Sequence, residues 1–149
     1  MISTEDIFFA LKDAVNRAAP NLFVTAEHLQ TSEQSYAWIQ FRQLRIDEGF
    51  GMFRRNTRVN IQVVLSPDEF TEIYHSDLYS IADAFDAEFC GYVKVADRFI
   101  TIYETNAHIF DNILHYEFIL DFADYVDKFF KAETEDADFM EDLHIQKKD

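Results

Sequence analysis

A chain of 149 residues that is 48% hydrophobic and 16% aromatic is long enough for one domain with a continuous core, and too apolar to remain disordered. Three Gly and two Pro argue against long low-complexity linkers, no internal repeat is present, and the single cysteine, Cys90, excludes an intrachain disulfide. Thirteen Lys and Arg against twenty-eight Asp and Glu give a formal charge of −15; that field repels phosphates and anionic headgroups, so neither specific nucleic-acid binding nor membrane attachment is expected.

The opening Met1-Ile2-Ser3-Thr4-Glu5-Asp6 is acidic where a secretory signal would be basic. No apolar run approaches the roughly 18 residues of a membrane helix. A reducing cytoplasm is therefore the expected compartment. Ser3 and Asp6 have the spacing of a helix N-cap pair. Ile7, Leu11, Ala14 and Ala18 follow at helical spacing, widened by Phe8 and Val15, until Pro20 forbids continuation. Leu22 to Thr25 is a short apolar strand. Ser35 to Arg45 alternates, with Ala37, Ile39 and Phe41 on one face and Tyr36, Trp38 and Leu44 on the other, so both faces are partly apolar. Asp47-Glu48-Gly49-Phe50-Gly51 supplies the chemistry of a hairpin tip. In the return strand Val59, Ile61, Val63 and Leu65 oppose Arg58, Asn60 and Gln62.

Ser66-Pro67-Asp68-Glu69 carries an N-cap serine, a first-position proline and first-turn acids, which predicts a helix start. Phe70, Tyr74, Leu78, Ile81, Phe85 and Phe89 trace its apolar face, with His75-Ser76-Asp77 as a candidate break and Gly91 as the closing residue. Tyr92 to Val95 and Arg98 to Glu104 read as a strand pair around Ala96-Asp97. Leu114, Tyr116, Phe118, Leu120 and Phe122 then alternate against His115, Glu117, Ile119 and Asp121. The order αβββαββ predicts an α+β fold over residues 1–125, a mixed and mainly antiparallel sheet with two principal helices packed on one face. Residues 126–149 form an acidic extension in which Phe139, Met140, Leu143 and Ile145 are apolar islands. They are either part of a solvated terminus or an amphipathic peg that orders on a neighbour.

No catalytic or cofactor motif is legible. His108, Asp111 and His115 match no ligand spacing and are expected to be ordinary surface residues. Cys90, between Phe89 and Gly91, is expected to be a small buried filler at a helix end, since a reactive thiol needs cationic, exposed surroundings. Phosphate loops, dinucleotide fingerprints and nucleophile elbows are absent. The expectation is therefore no enzyme, no cofactor and no metal. Arg42, Arg45, Arg54, Arg55 and Arg58 stand out because five of thirteen cations fall in one hairpin. They are either solvated decoration that protects the hairpin edge or one half of a head-to-tail contact with an acidic partner. In both cases their charges are expected to be exposed and to contribute little to core stability.

Three segments resemble the phage tail terminator (tail completion) family of Gram-positive phages and prophages. They are Phe53-Arg54-Arg55 followed by Val59 to Pro67, Asp97-Arg98-Phe99 leading into a strand, and Leu114 to Phe122. The resemblance covers roughly residues 3 to 125 and implies a ring-forming structural protein, commonly hexameric. It would cap the tail tube, contact the tube protein and the head–tail connector, and pass from the host cytoplasm into the virion tail. Such proteins work by surface complementarity, so the candidate residues are Arg42, Arg45, Arg54, Arg55, Arg58, Phe139, Met140 and Leu143. A second reading of the charge is a small acidic inhibitor or DNA mimic occupying a basic site on another protein; its difficulty is the basic arm.

Overall fold

The computed structural model describes residues 1–29, 33–67 and 72–126. Helix α1 spans Thr4–Ala18 and opens on a reciprocal capping box. The Ser3 hydroxyl accepts from the Asp6 amide at 3.0 Å, and the Asp6 carboxylate accepts from the Ser3 amide at 3.0 Å. Those bonds satisfy orphan donors of the first turn and hold the Asp6 carboxyl below its usual range. The helix buries Ile7, Leu11, Ala14 and Val15, the stripe that the sequence spacing predicts.

Strands β1 (Phe23–Thr25), β2 (Tyr36–Gly49) and β3 (Met52–Val64) follow, then α2 (His75–Glu88), β4 (Tyr92–Val95), β5 (Arg98–Thr101), β6 (Thr105–Phe110) and β7 (Ile113–Tyr125). Five strands make a mixed, mainly antiparallel sheet in the order β1-β2-β3-β7-β6, while β4 and β5 form a separate hairpin. Only β1 and β2 run parallel. The fold is α+β, with α1, α2 and the β4–β5 hairpin contributing to the core on one face of the sheet.

Register puts Ile39, Ile61 and Tyr116 in one row of that face, with Ala37, Val63 and Leu114 in the next. All six are buried, and Leu78, Phe85 and Phe89 of the α2 region and Val93, Val95 and Ile100 of the small hairpin join them in one cluster. An aromatic group sits at its centre: Tyr116 lies 5.3 Å from Phe85 between ring centroids, and Phe89 lies 4.9 Å from Phe118. The Tyr116 hydroxyl donates to Asp86 Oδ1 at 2.8 Å.

Burial, foremost, raises the Tyr116 phenol above its ordinary value of 10.0. A raised folded-state value means that Tyr116's contribution to stability is complete below about pH 10 and is lost as pH climbs through the folded value. Urea denaturation at pH 8 and pH 11 should show the wild type losing stability at up to about 1.4 kcal/mol per pH unit more than Tyr116→Phe over the alkaline limb. Parallel losses in the two proteins would place the alkaline sensitivity elsewhere.

Four departures from the sequence expectations have physical causes. Helix α2 starts at His75, and residues 72–74 are not helical. Ser66 does not serve as a cap there. Its amide donates to Ser35 Oγ at 2.8 Å and its hydroxyl lies 3.3 Å from the same oxygen, so it tethers the end of β3 to the start of β2. Asp68, Glu69 and Phe70 of the expected first turn lie outside the described residues. Strands β2 and β3 also reach farther than the alternation suggests, to a tip where Gly49, Phe50 and Gly51 all take positive φ. Strand β6 is an additional element, joined to β7 by Asp111 and Asn112 at φ 53° and 58°, the two-residue primed turn of a tight hairpin. Finally, Cys90 is exposed and not a buried filler: Phe89 ends α2 and takes the core position, and Gly91 at φ 86° turns the chain into β4.

Candidate functional site

The β2–β3 hairpin is an arm of two strands 14 and 13 residues long, on the order of 45 Å at a strand's usual rise. Its register sets Arg42 opposite Arg58, Arg45 opposite Arg55, and Ile46 opposite Arg54. Because side chains alternate between faces, the five arginines divide. Arg42, Arg54 and Arg58 point to the outer face of the sheet, while Arg45 and Arg55 point to the face that carries the core.

Arg55 is only 6% exposed, which corrects the expectation that all five charges decorate the surface. Its guanidinium donates to the Ile2 carbonyl, to Gln43 Oε1 at 2.8 Å and to Thr4 Oγ1 at 3.5 Å, and it lies 4.0 Å from Asp124. Asp124, also buried, accepts from the Ile2 amide and the Tyr125 amide at 2.8 Å each and lies 3.7 Å from Arg98. Arg55 and Arg98 both stand over the Phe122 ring, at 5.4 and 5.3 Å. Desolvation lowers the Arg55 guanidinium from its ordinary value, and Asp124 opposes that shift. The network fastens the start of the chain to the far ends of β3 and β7. Its work is internal.

The other four arginines are exposed. Arg45 stacks on Phe53 at 4.0 Å, and Arg54 pairs with Asp121 at 3.1 Å. Arg42 and Arg58 face each other directly across β2 and β3 and make no ion pair among the described residues. Like charges directly opposite are unfavourable within a sheet. Beside them on the same face lie exposed Leu44 (58%), Ile46 (49%) and Ile119, with Phe50 (85%) at the hairpin tip. Nearer the other end, the outer face is partly covered: Tyr36 Oη donates to the Leu29 carbonyl at 2.9 Å and Trp38 Nε1 to the Ala26 carbonyl at 3.2 Å. Beyond Trp38, β2 has no partner on its outer edge among the described residues.

His108 and His115 are brought together by the β6–β7 hairpin, ring centroids 4.9 Å apart and stacked within 8°. Burial, then the neighbouring His108, pushes the His115 imidazole below its ordinary value. Asp111 sits in the adjoining turn, and among the described residues no group of three or more His, Cys, Asp or Glu converges as a metal site would need. Phe139, Met140 and Leu143 lie outside the described residues. No helix among the described residues is long and apolar enough to cross a membrane.

An open sheet face with an arginine pair that makes no ion pair among the described residues, and with exposed aliphatic neighbours, suits contact with another protein surface. Comparison with curated proteins returns no match. Residues 6–131 match the family described as phage tail terminator protein, a span that includes both long hairpin strands, all of β7 and the whole core sheet. The chain belongs to the phage tail terminator family and is a structural protein of the phage tail.

Proposed function

We propose that the chain is a ring-forming subunit, hexameric when closed, that caps the tail tube and forms part of the head–tail joining surface by complementarity and without catalysis. In this reading residues 1–125 are the assembling domain and 126–149 an acidic extension. The observation that carries it is the arm's outer face. Arg42 and Arg58 stand opposite each other and make no ion pair among the described residues, next to Leu44 and Ile46. A subunit that stayed alone would bear a like-charge pair and exposed aliphatic surface with no return, whereas a neighbour supplying carboxylates and apolar groups relieves both. Beyond Trp38 the β2 edge, which has no partner among the described residues, adds unpaired backbone that a lone protein usually protects. The remaining field is strongly negative, so DNA could pass a lumen without adhering.

Native mass spectrometry with negative-stain imaging, alone and with purified tail tubes, tests the proposal. Closed rings and rings seated on tube ends are the expected result. A monomer at all concentrations that ignores tube ends would overturn it.

A further inference from the structure

The distal outer face requires two things of an occupant: carboxylates for Arg42 and Arg58, and large apolar side chains for Leu44, Ile46 and Ile119. On this face Asp121 is already paired with Arg54 at 3.1 Å, and Glu104 and Glu117 line a cleft with Arg58 without forming an ion pair to it among the described residues, which leaves Arg42 and Arg58 open to further carboxylates. The chain itself contains a stretch of the required chemistry. Residues 133–145 include no Lys or Arg, and there Asp138, Glu141 and Asp142 are interspersed with Phe139, Met140 and Leu143.

We infer that residues 133–145 of one copy dock on the Arg42–Arg58 face of the next copy. This rests on the ring reading above and names the partner of the arm. The direction of the chain favours a neighbour over the same subunit. Strand β7 runs toward the hairpin tip, and the Val126 amide donates to the Gly51 carbonyl at 2.8 Å, so the chain leaves past the end of the sheet. The arginine pair lies behind that exit, level with Ile119, six residues or roughly 20 Å back along β7. A return over the same face would also lead Lys128 and Lys131 past Arg54 and Arg58, like charge against like. The seven residues from Val126 to Glu133 reach up to about 25 Å when extended, enough to enter a subunit alongside. Arm and C-terminal segment are different surfaces, so the contact is heterologous. Contacts of that kind close into rings when the rotation permits.

The test uses full-length chains in a Cys90→Ser background, with Leu44→Cys on one population and Phe139→Cys on an isotopically labelled second. After mixing and mild oxidation, disulfide-linked pairs should join the two populations, about tenfold in excess of either self-pair. Arg42→Glu with Arg58→Glu on the Leu44→Cys chain should lower that yield about tenfold, and Glu141→Lys with Asp142→Lys on the other chain should restore it, since complementarity and not bulk would be the determinant. Rings that form without the cross-link, or one chain carrying both cysteines that closes only on itself, overturn the docking assignment and leave the ring standing. A cross-link indifferent to the charge reversals overturns the role given to the arginine pair. Absence of any oligomer removes the ring reading and this inference with it.

Discussion

Asp124→Ala should lower the stability of the folded chain by about 3–5 kcal/mol, the usual consequence of leaving a buried ion without its partner. Among the described residues, the substitution removes the one carboxylate paired with Arg55, whose guanidinium is almost wholly shielded from water. It also deprives the Ile2 amide of its acceptor, a 2.8 Å bond between positions 122 residues apart. Arg98, being nearly half exposed, can turn to solvent at little cost; Arg55 cannot. For a chain of this size the loss corresponds to a fall in Tm of roughly 6–20 °C. Asp124→Asn keeps an acceptor for Ile2 while deleting the charge, and should fall between wild type and Asp124→Ala. Urea denaturation of the three proteins, with hydrogen exchange at the Ile2 amide, separates the two contributions. A loss below about 1 kcal/mol for Asp124→Ala, the range of exposed pairs, would show that the network is peripheral.

That network changes how the arginine arm should be probed. Arg55→Glu would set a second carboxylate beside Asp124 in a closed pocket and would report on folding. Arg54 is already engaged with Asp121, so its loss disturbs an internal contact as well as any external one. Of the exposed arginines that make no ion pair among the described residues, Arg42 and Arg58 are the two on the outer face, since Arg45 lies on the opposite face against Phe53.

Much of this is legible in the sequence, the buried ion pair included. The phase of Val59, Ile61 and Val63, carried back by twos, lands on Thr57, Arg55 and Phe53, all buried. The phase of Leu114 to Phe122, carried forward, lands on Asp124. Opposite charges in the apolar phase of two long strands are the signature of a buried pair, and extending both alternations would have found it. Strand β6 lacked such a signal. Only Ile109 in Thr105–Phe110 is even half-buried, so an edge strand of this kind shows no alternation, and the Asp111-Asn112 turn was its one clue. The parallel β1–β2 pairing spans three residues and leaves no periodic trace. Helix α2 starts at the His75-Ser76-Asp77 break and not at Ser66, whose good cap chemistry is held by Ser35. Cap residues compete with other uses of the same hydroxyl.

The double substitution Arg42→Glu with Arg58→Glu should weaken subunit association by about a hundredfold or more at low salt, since a like-charge juxtaposition across an interface costs several kcal/mol. The pair offers an unusually clean experiment. Arg42 and Arg58 already repel each other within the subunit, and two glutamates in their places would still repel. The repulsion between the two positions is thus conserved while the sign shown to a neighbour is inverted, and the added repulsion of a carboxylate at position 58 from Glu104 and Glu117, which line the same cleft, is read from the unfolding of the isolated subunit. Both side chains are exposed, so thermal unfolding of the isolated subunit should shift little. Arg45→Ala is the companion control, since Arg45 lies on the opposite face, stacked on Phe53 at 4.0 Å, and should leave association nearly unchanged. Salt supplies a second axis. Exposed charges are screened over roughly 10 Å at 0.1 M and about 3 Å at 1 M, so wild-type association should weaken as salt rises, while the double variant should show a flat or inverted dependence. Sedimentation of the three proteins at low and high salt reads both effects. Equal association of wild type and double variant in both conditions would reduce the Arg42–Arg58 pair to surface decoration.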